Sequence, residues 1–135
     1  MFNLKVMNKE DKELLLRDLC GRLPYGVICK YEAVVPLLGE VLNYGELTDI
    51  RNNGEYFIIV NGHTCHYDDI KPFLRTMSSM TEEEKDELFK LGQTSLSMQE
   101  LNINEIDFLN SHHFDFRGLI EKGLALKAPE EMYRI

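Results

Sequence analysis

The sequence predicts an α+β fold: an N-terminal helix, a small antiparallel β-meander or SH3-like barrel, and C-terminal short helices. Three observations predict it. Leucines recur at three- and four-residue spacing before Pro24, the period drops to two between Tyr25 and Arg75, and helical capping signals return after Ser79. The chain of 135 residues has the length of one domain, expected as 1–135, with 1–24 the N-terminal helix, 25–75 the β unit and 76–135 the helical segment.

The stretch "NKEDKELLLRDLCGRLP" carries both helix ends. Asn8 is a capping residue, Glu10 and Asp11 suit the positive end of the helix dipole, and Gly21 and Pro24 are expected to stop it. Leu15, Leu16, Leu19, Cys20 and Leu23 form the expected buried stripe. Met7 reads as a natural start, which makes the first six residues an extension or an extra edge strand.

Short strands follow in "YGVICKYE", "GEVLNY", "GELTDI", "EYFIIV" and "HTCHYD", with Pro36 interrupting pairing after the first. Asn61-Gly62 is a strong signal for a two-residue type I′ hairpin. That turn sets Val60 opposite His63, Ile59 opposite Thr64, Ile58 opposite Cys65 and Phe57 opposite His66. One face then carries Tyr56, Ile58, Val60, His63, Cys65 and Tyr67, and the other Phe57, Ile59, Thr64 and His66.

Further on, "SSMTEEEKDELFKLG" has a capping box, Thr81 with Glu84, and closes at Gly92. "TSLSMQELN" reads as a polar connection. "NEIDFLNSHH" and "DFRGLIEKG" read as two short helices, the first capped by Asn102 or Asn104 and the second by Asp115. The tail "LALKAPEEMYRI" has no clear period.

The hairpin register bears on chemistry. "NGHTCHYDDI" gathers two histidines, a cysteine and two aspartates, a composition that invites a metal. Zinc needs three or four ligands converging at about 2.0–2.3 Å. Alternation sends Cys65 and His66 to opposite faces and leaves His63 and Cys65 as a pair without partners, so no metal ligand and no cofactor is assigned. His112 and His113 are adjacent, and neighbours on a helix diverge by about 100°. The sequence holds no Gly-rich phosphate loop, nucleophile elbow or H-E-x-x-H pair, so no catalytic residue is assigned either.

Composition narrows the class. A hydrophobic share of 44% and a charged share of 28% are those of an ordinary globule, and no apolar run reaches the length of a membrane span. Cys20, Cys29 and Cys65 form no C-x-x-C pair and are expected as buried free thiols in a cytoplasmic protein. The net charge is −8, with six basic and twelve acidic residues in 76–135, a field that disfavours nucleic acid.

Three stretches, "LCGRLPYGV", "DDIKPFLRTMSSMTEEE" and "FDFRGLIEKGLA", resemble a family of small proteins of gut Bacteroidales that is often associated with prophages and mobile elements. The resemblance implies cytoplasmic expression in a phage or mobile-element context. It implies no activity, cofactor or site residue.

The expected function is a non-enzymatic protein-interaction or assembly module with a protein partner. Seven aromatics within 25–75 exceed what a small core needs, and the expected contact surface combines Tyr44 and Phe57 with Arg117 and Lys122. Two alternatives stand beside it: an enzyme using His63, His66, His112 or Asp115, and a nucleic-acid-binding regulator.

Overall fold

The computed structural model describes residues 7–35, 39–52, 56–92 and 101–133. The first six residues, Pro36 and most of the connection "TSLSMQELN" lie outside that set, and so do the expectations attached to them.

Helix α1 spans Lys9–Arg22, and the Asn8 side chain accepts from the Asp11 amide at 2.8 Å, as capping chemistry requires. It runs through Gly21. Pro24 then enters a 3-10 turn, Leu23–Tyr25, which ends at left-handed Gly26 (φ 69°). The buried stripe is rotated from the expected one. Leu15, Leu16 and Leu19 are buried, but Cys20 is exposed, and Asp18 and Arg22 are fully buried beside the leucines. These two ions lie four residues apart on the inward face. Arg22 grips Asp18 through Nε (2.7 Å) and Nη2 (3.0 Å), and Nη2 also donates to the Phe114 carbonyl at 2.6 Å.

The β unit rolls over α1. Its strands are β1 (Ile28–Val35), β2 (Gly39–Asn52), β3 (Tyr56–Val60), β4 (His63–His66) and β5 (Ile70–Leu74). "GEVLNY" and "GELTDI" are one long strand and not two, with an irregularity between Leu47 and Asp49 that lets it bend. The strand order is β4-β3-β2-β1-β5, extended by one further short strand beyond β5, and a 3-10 turn Tyr67–Asp69 carries the chain from β4 back to the side of β1. The sheet curls enough to bring the Tyr31 ring of β1 within 5.6 Å of His63 on β4. The β3–β4 pairing has the expected register, Val60 opposite His63 through Phe57 opposite His66. Asn61 (φ 50°) and Gly62 (φ 79°) both adopt the positive φ of a type I′ turn.

Strand β5 is an addition to the expected set, and it holds Pro72, which has no amide to donate to a central ladder. The conflict resolves locally. The last strand, β6 (Leu126–Lys127), runs parallel to β5 and pairs only with Phe73 and Leu74, so Pro72 precedes that pairing.

Helix α2 (Glu82–Gly92) keeps its capping box: the Glu84 amide donates to Thr81 Oγ1 at 3.1 Å, and the Thr81 amide to Glu84 Oε1 at 2.9 Å. Helix α3 (Ile103–Ser111) is capped by Asn102, not Asn104, with Glu105 closing a second capping box. Its end is unusual. His113 sits at φ 64° where glycine is customary, while Phe114 N–H donates to Leu109 and His113 N–H to Asn110. "DFRGLIEKG" is not a helix but a series of turns, in which the Asp115 carboxylate accepts from the amides of Leu119 (2.8 Å) and Ile120 (3.0 Å).

One buried cluster joins the leucines of α1, the inner face of the sheet and Leu119, Leu124 and Ala125 of the tail. A smaller one packs Met80, Phe108, Leu109 and Phe114 against α2 and α3.

The turn and the buried ion pair can each be tested by substitution. A Cβ at Gly62 would meet nothing within 4 Å, so Gly62→Val tests backbone conformation alone. It should cost about 1–2 kcal/mol in denaturant unfolding, and a neutral result would exclude the type I′ turn. Asp18→Ala strands the Arg22 guanidinium, whose Nη1 already has no partner among the described residues. That substitution should cost about 3–5 kcal/mol. Arg117, which reaches the same Asp18 Oδ1 at 2.8 Å from a 19% exposed position, should cost clearly less when changed to alanine. The reverse ranking would show that Arg22 and not Asp18 can find other partners.

Candidate functional site

The outward face of β1 and β2, with the turn before β1 and the tail, carries an open hollow. Gly45 lies opposite buried Cys29, so its neighbours Tyr44 and Glu46 project outward. Tyr44 is 59% exposed and Tyr25, just before Gly26, is 37% exposed. Between them runs an open groove of about 630 Å³, with Ile28, Gly45, Glu46 and Met132 completing its walls. Gly26 belongs to the floor by necessity. Its left-handed backbone resists a side chain, and a Cβ there would fall 2.5 Å from Glu46 Oε1.

The groove is braced from behind. Tyr44 rests on Phe73, with ring centroids 5.5 Å apart. The Tyr133 hydroxyl accepts from the Ile28 amide at 2.8 Å and donates to the Phe73 carbonyl at 2.7 Å. Those two hydrogen bonds pin the tail across β1 and β5 and set Met132 at the groove. The tail is the part of the chain with no readable period; its one sequence signal is a tyrosine near the end.

A second hollow of similar volume follows one side of α2, along Glu82, Glu83, Lys85, Asp86 and Phe89. Its walls are side chains of a single helix.

The four surface residues expected from sequence fall in different settings. Tyr44 lines the groove. Phe57 is half-buried on β3, opposite Arg51 and His66. Arg117 is held by Asp18 and lies over the Phe116 ring at 4.2 Å, so it is a structural cation. Lys122 is exposed in the turns before Gly123.

The histidines do not gather. His63 lies exposed beside Tyr31. His66 Nδ1 faces Asp68 at 3.3 Å and its ring packs on Tyr67. His112 stacks on Phe108 with Nδ1 3.1 Å from Glu84. Asp115 is engaged by the two amides described above. Among the described residues, no three His, Cys, Asp or Glu side chains converge as a metal would require. Burial pushes the Cys29 thiol up to about 12 and raises Cys65 as well, which keeps both protonated and poorly nucleophilic. No helix of the described residues is long and apolar enough to cross a membrane.

No family model, curated protein or solved structure matches this chain. The groove and its chemistry therefore carry the functional reading.

His113 and Glu84 give the fold two acid-sensitive steps. Burial, then the nearby Arg22 charge, lowers the His113 pKa from 6.5 to about 4; its ring lies 3.7 Å from Tyr133. The unfolded chain takes up a proton at His113 that the folded one refuses, so this contribution is complete above pH 6.5 and lost as pH falls toward 4. Glu84 is held down from 4.5 to about 2, first by its bidentate bond to Arg75, so its contribution is lost between those values. Stability measured against pH should therefore fall through two windows that overlap near pH 4, the upper from His113 and the lower from Glu84. His113→Asn, which tolerates the left-handed backbone, should flatten the upper window alone. Retention of the upper slope in that variant would assign it to another group.

Proposed function

We propose that the protein is a non-enzymatic protein-interaction module whose contact surface is the Tyr25–Tyr44 groove. On the resemblance of the three stretches we assign it to the cytoplasm, in a phage or mobile-element setting. One observation carries the reading: two exposed tyrosines frame an apolar-walled groove on the outside of a rolled sheet. Rigid aromatic side chains offer large contact area at low conformational-entropy cost, and are enriched at binding hot spots. Small folds recognise extended peptide segments through such aromatic-lined grooves. Among the described residues the groove's one lining carboxylate is Glu46. Of the enzymatic alternative, His66, His112 and Asp115 are each engaged in local structure, while His63 stands exposed on β4 away from the groove lining. The regulator alternative must contend with a net charge of −8.

The test compares Tyr44→Ala and Tyr25→Ala with the unaltered protein in quantitative affinity purification from the native host. Partners retained by the unaltered chain should be lost from both variants, and melting temperatures should stay within a few degrees. Undiminished recovery by a folded Tyr44→Ala protein would remove the groove from the reading.

A further inference from the structure

Beside the groove lies a charge arrangement that folding does not call for. Lys30 on β1 is directly opposite Tyr44 on β2 and, on its other side, directly opposite Lys71 on β5. Cys29, Tyr31, Ile70 and Pro72 on the same strands are buried, so both lysines project from the outer face. Tyr44, Lys30 and Lys71 therefore form one row across three strands. Like charges set directly opposite each other weaken strand pairing. Neither lysine has a carboxylate within ion-pair distance among the described residues. The chain carries 23 acidic residues against 15 basic ones, yet two cations with no carboxylate partner among the described residues meet here.

Resting on the reading of the groove as a protein-contact surface, we propose that its partner is an extended peptide segment that carries an acidic side chain next to an apolar or aromatic one. The carboxylate sits between Lys30 and Lys71, and the apolar residue lies between Tyr44 and Tyr25 over Ile28. Glu46 lines the groove and is opposite Ile28, one outward row from the lysines. This polarity sets the peptide's direction, with its acidic residue at the lysine end and a neutral or basic one near Glu46. The overall negative charge does not forbid such a partner, because screening confines exposed charges to a range of about 8 Å at physiological salt. A nucleic acid offers negative charge as well, but along its whole length, which the wider acidic surface opposes.

A random dodecapeptide display library, selected on the unaltered protein after depletion on Tyr44→Ala, tests the proposal. Selected peptides should be enriched in Asp or Glu. They should bind Lys30→Gln/Lys71→Gln at least tenfold more weakly, and lose affinity as salt rises. Lys30→Glu/Lys71→Glu should select basic peptides instead. Tyr44-dependent peptides without acidic enrichment, or acidic peptides indifferent to the lysine changes, would overturn the acidic partner and leave the groove standing. Recovery of no Tyr44-dependent peptide would overturn both. Tyr44-dependent binding of a dT oligonucleotide, tighter than any selected peptide, would replace the peptide by nucleic acid. A fold control is built in: Lys71→Glu alone should melt higher than the unaltered chain, since it turns a like-charge pair into an opposite one. A lower melt would show that the two lysines do not repel.

Discussion

The buried Asp18–Arg22 pair is the constraint on which the rest of the molecule depends. Both side chains are fully buried on the apolar face of α1, and burying two ions costs several kcal/mol each before their attraction is counted. Replacing such a pair by hydrocarbon is often neutral for stability, so its role is better read from what it holds. Arg22 reaches across to the Phe114 carbonyl, and Asp18 receives Arg117. One segment about a hundred residues downstream, 114–117, is thereby joined to α1 at two points.

Polar groups in this fold have different roles on the two sides of one sheet. Inside, charges fix the positions of neighbouring elements. Asp18 and Arg22 do so under the sheet. Past the end of β5, the partly exposed Arg75 lies over the Phe114 ring at 4.2 Å and chelates Glu84, tying α2 to that end. Outside, Lys30 and Lys71 face each other across two strands, and the aromatic beside them is more than half exposed. Among the described residues, Arg22 and Arg75 find partners and tie elements together, while Lys30 and Lys71 find no carboxylate and stand on the outer face.

Local chemistry is what the sequence makes legible. The Asn61-Gly62 turn sets a whole hairpin register, because a two-residue loop and a period of two leave one solution. The Thr81–Glu84 and Asn102–Glu105 boxes mark two helix starts for the same reason. Sequence reasoning fails where tertiary context overrides a local rule. Pro72 has the look of a strand breaker, and "DFRGLIEKG" has the look of a helix, yet Asp115 uses its carboxylate to close a turn. Arg117 resembles a surface hot-spot residue because a distant aspartate is invisible in the text. The Asp18–Arg22 spacing, four apart on the leucine face, is the one available sign of the inner network. Of the groove, Tyr25 and Tyr44 are both among the surplus aromatics, though only Tyr44 belongs to the expected contact surface. Met132 carries no sequence signal, since only the folded tail brings it to them.

The inner network and the outer groove are also mechanically joined. Arg22 fixes the Phe114 carbonyl, and Phe114 follows His113, whose left-handed backbone would favour glycine. The imidazole stacks on Tyr133, with ring centroids 3.7 Å apart. Tyr133 in turn binds Ile28 and Phe73, the residue under Tyr44, and carries its neighbour Met132 to the groove wall. Each link is a short contact between groups with little freedom of their own. A continuous series of contacts thus runs from the buried ion pair to Ile28 and Met132 at the groove, and the tail that packs on the fold also lines the surface that the fold presents.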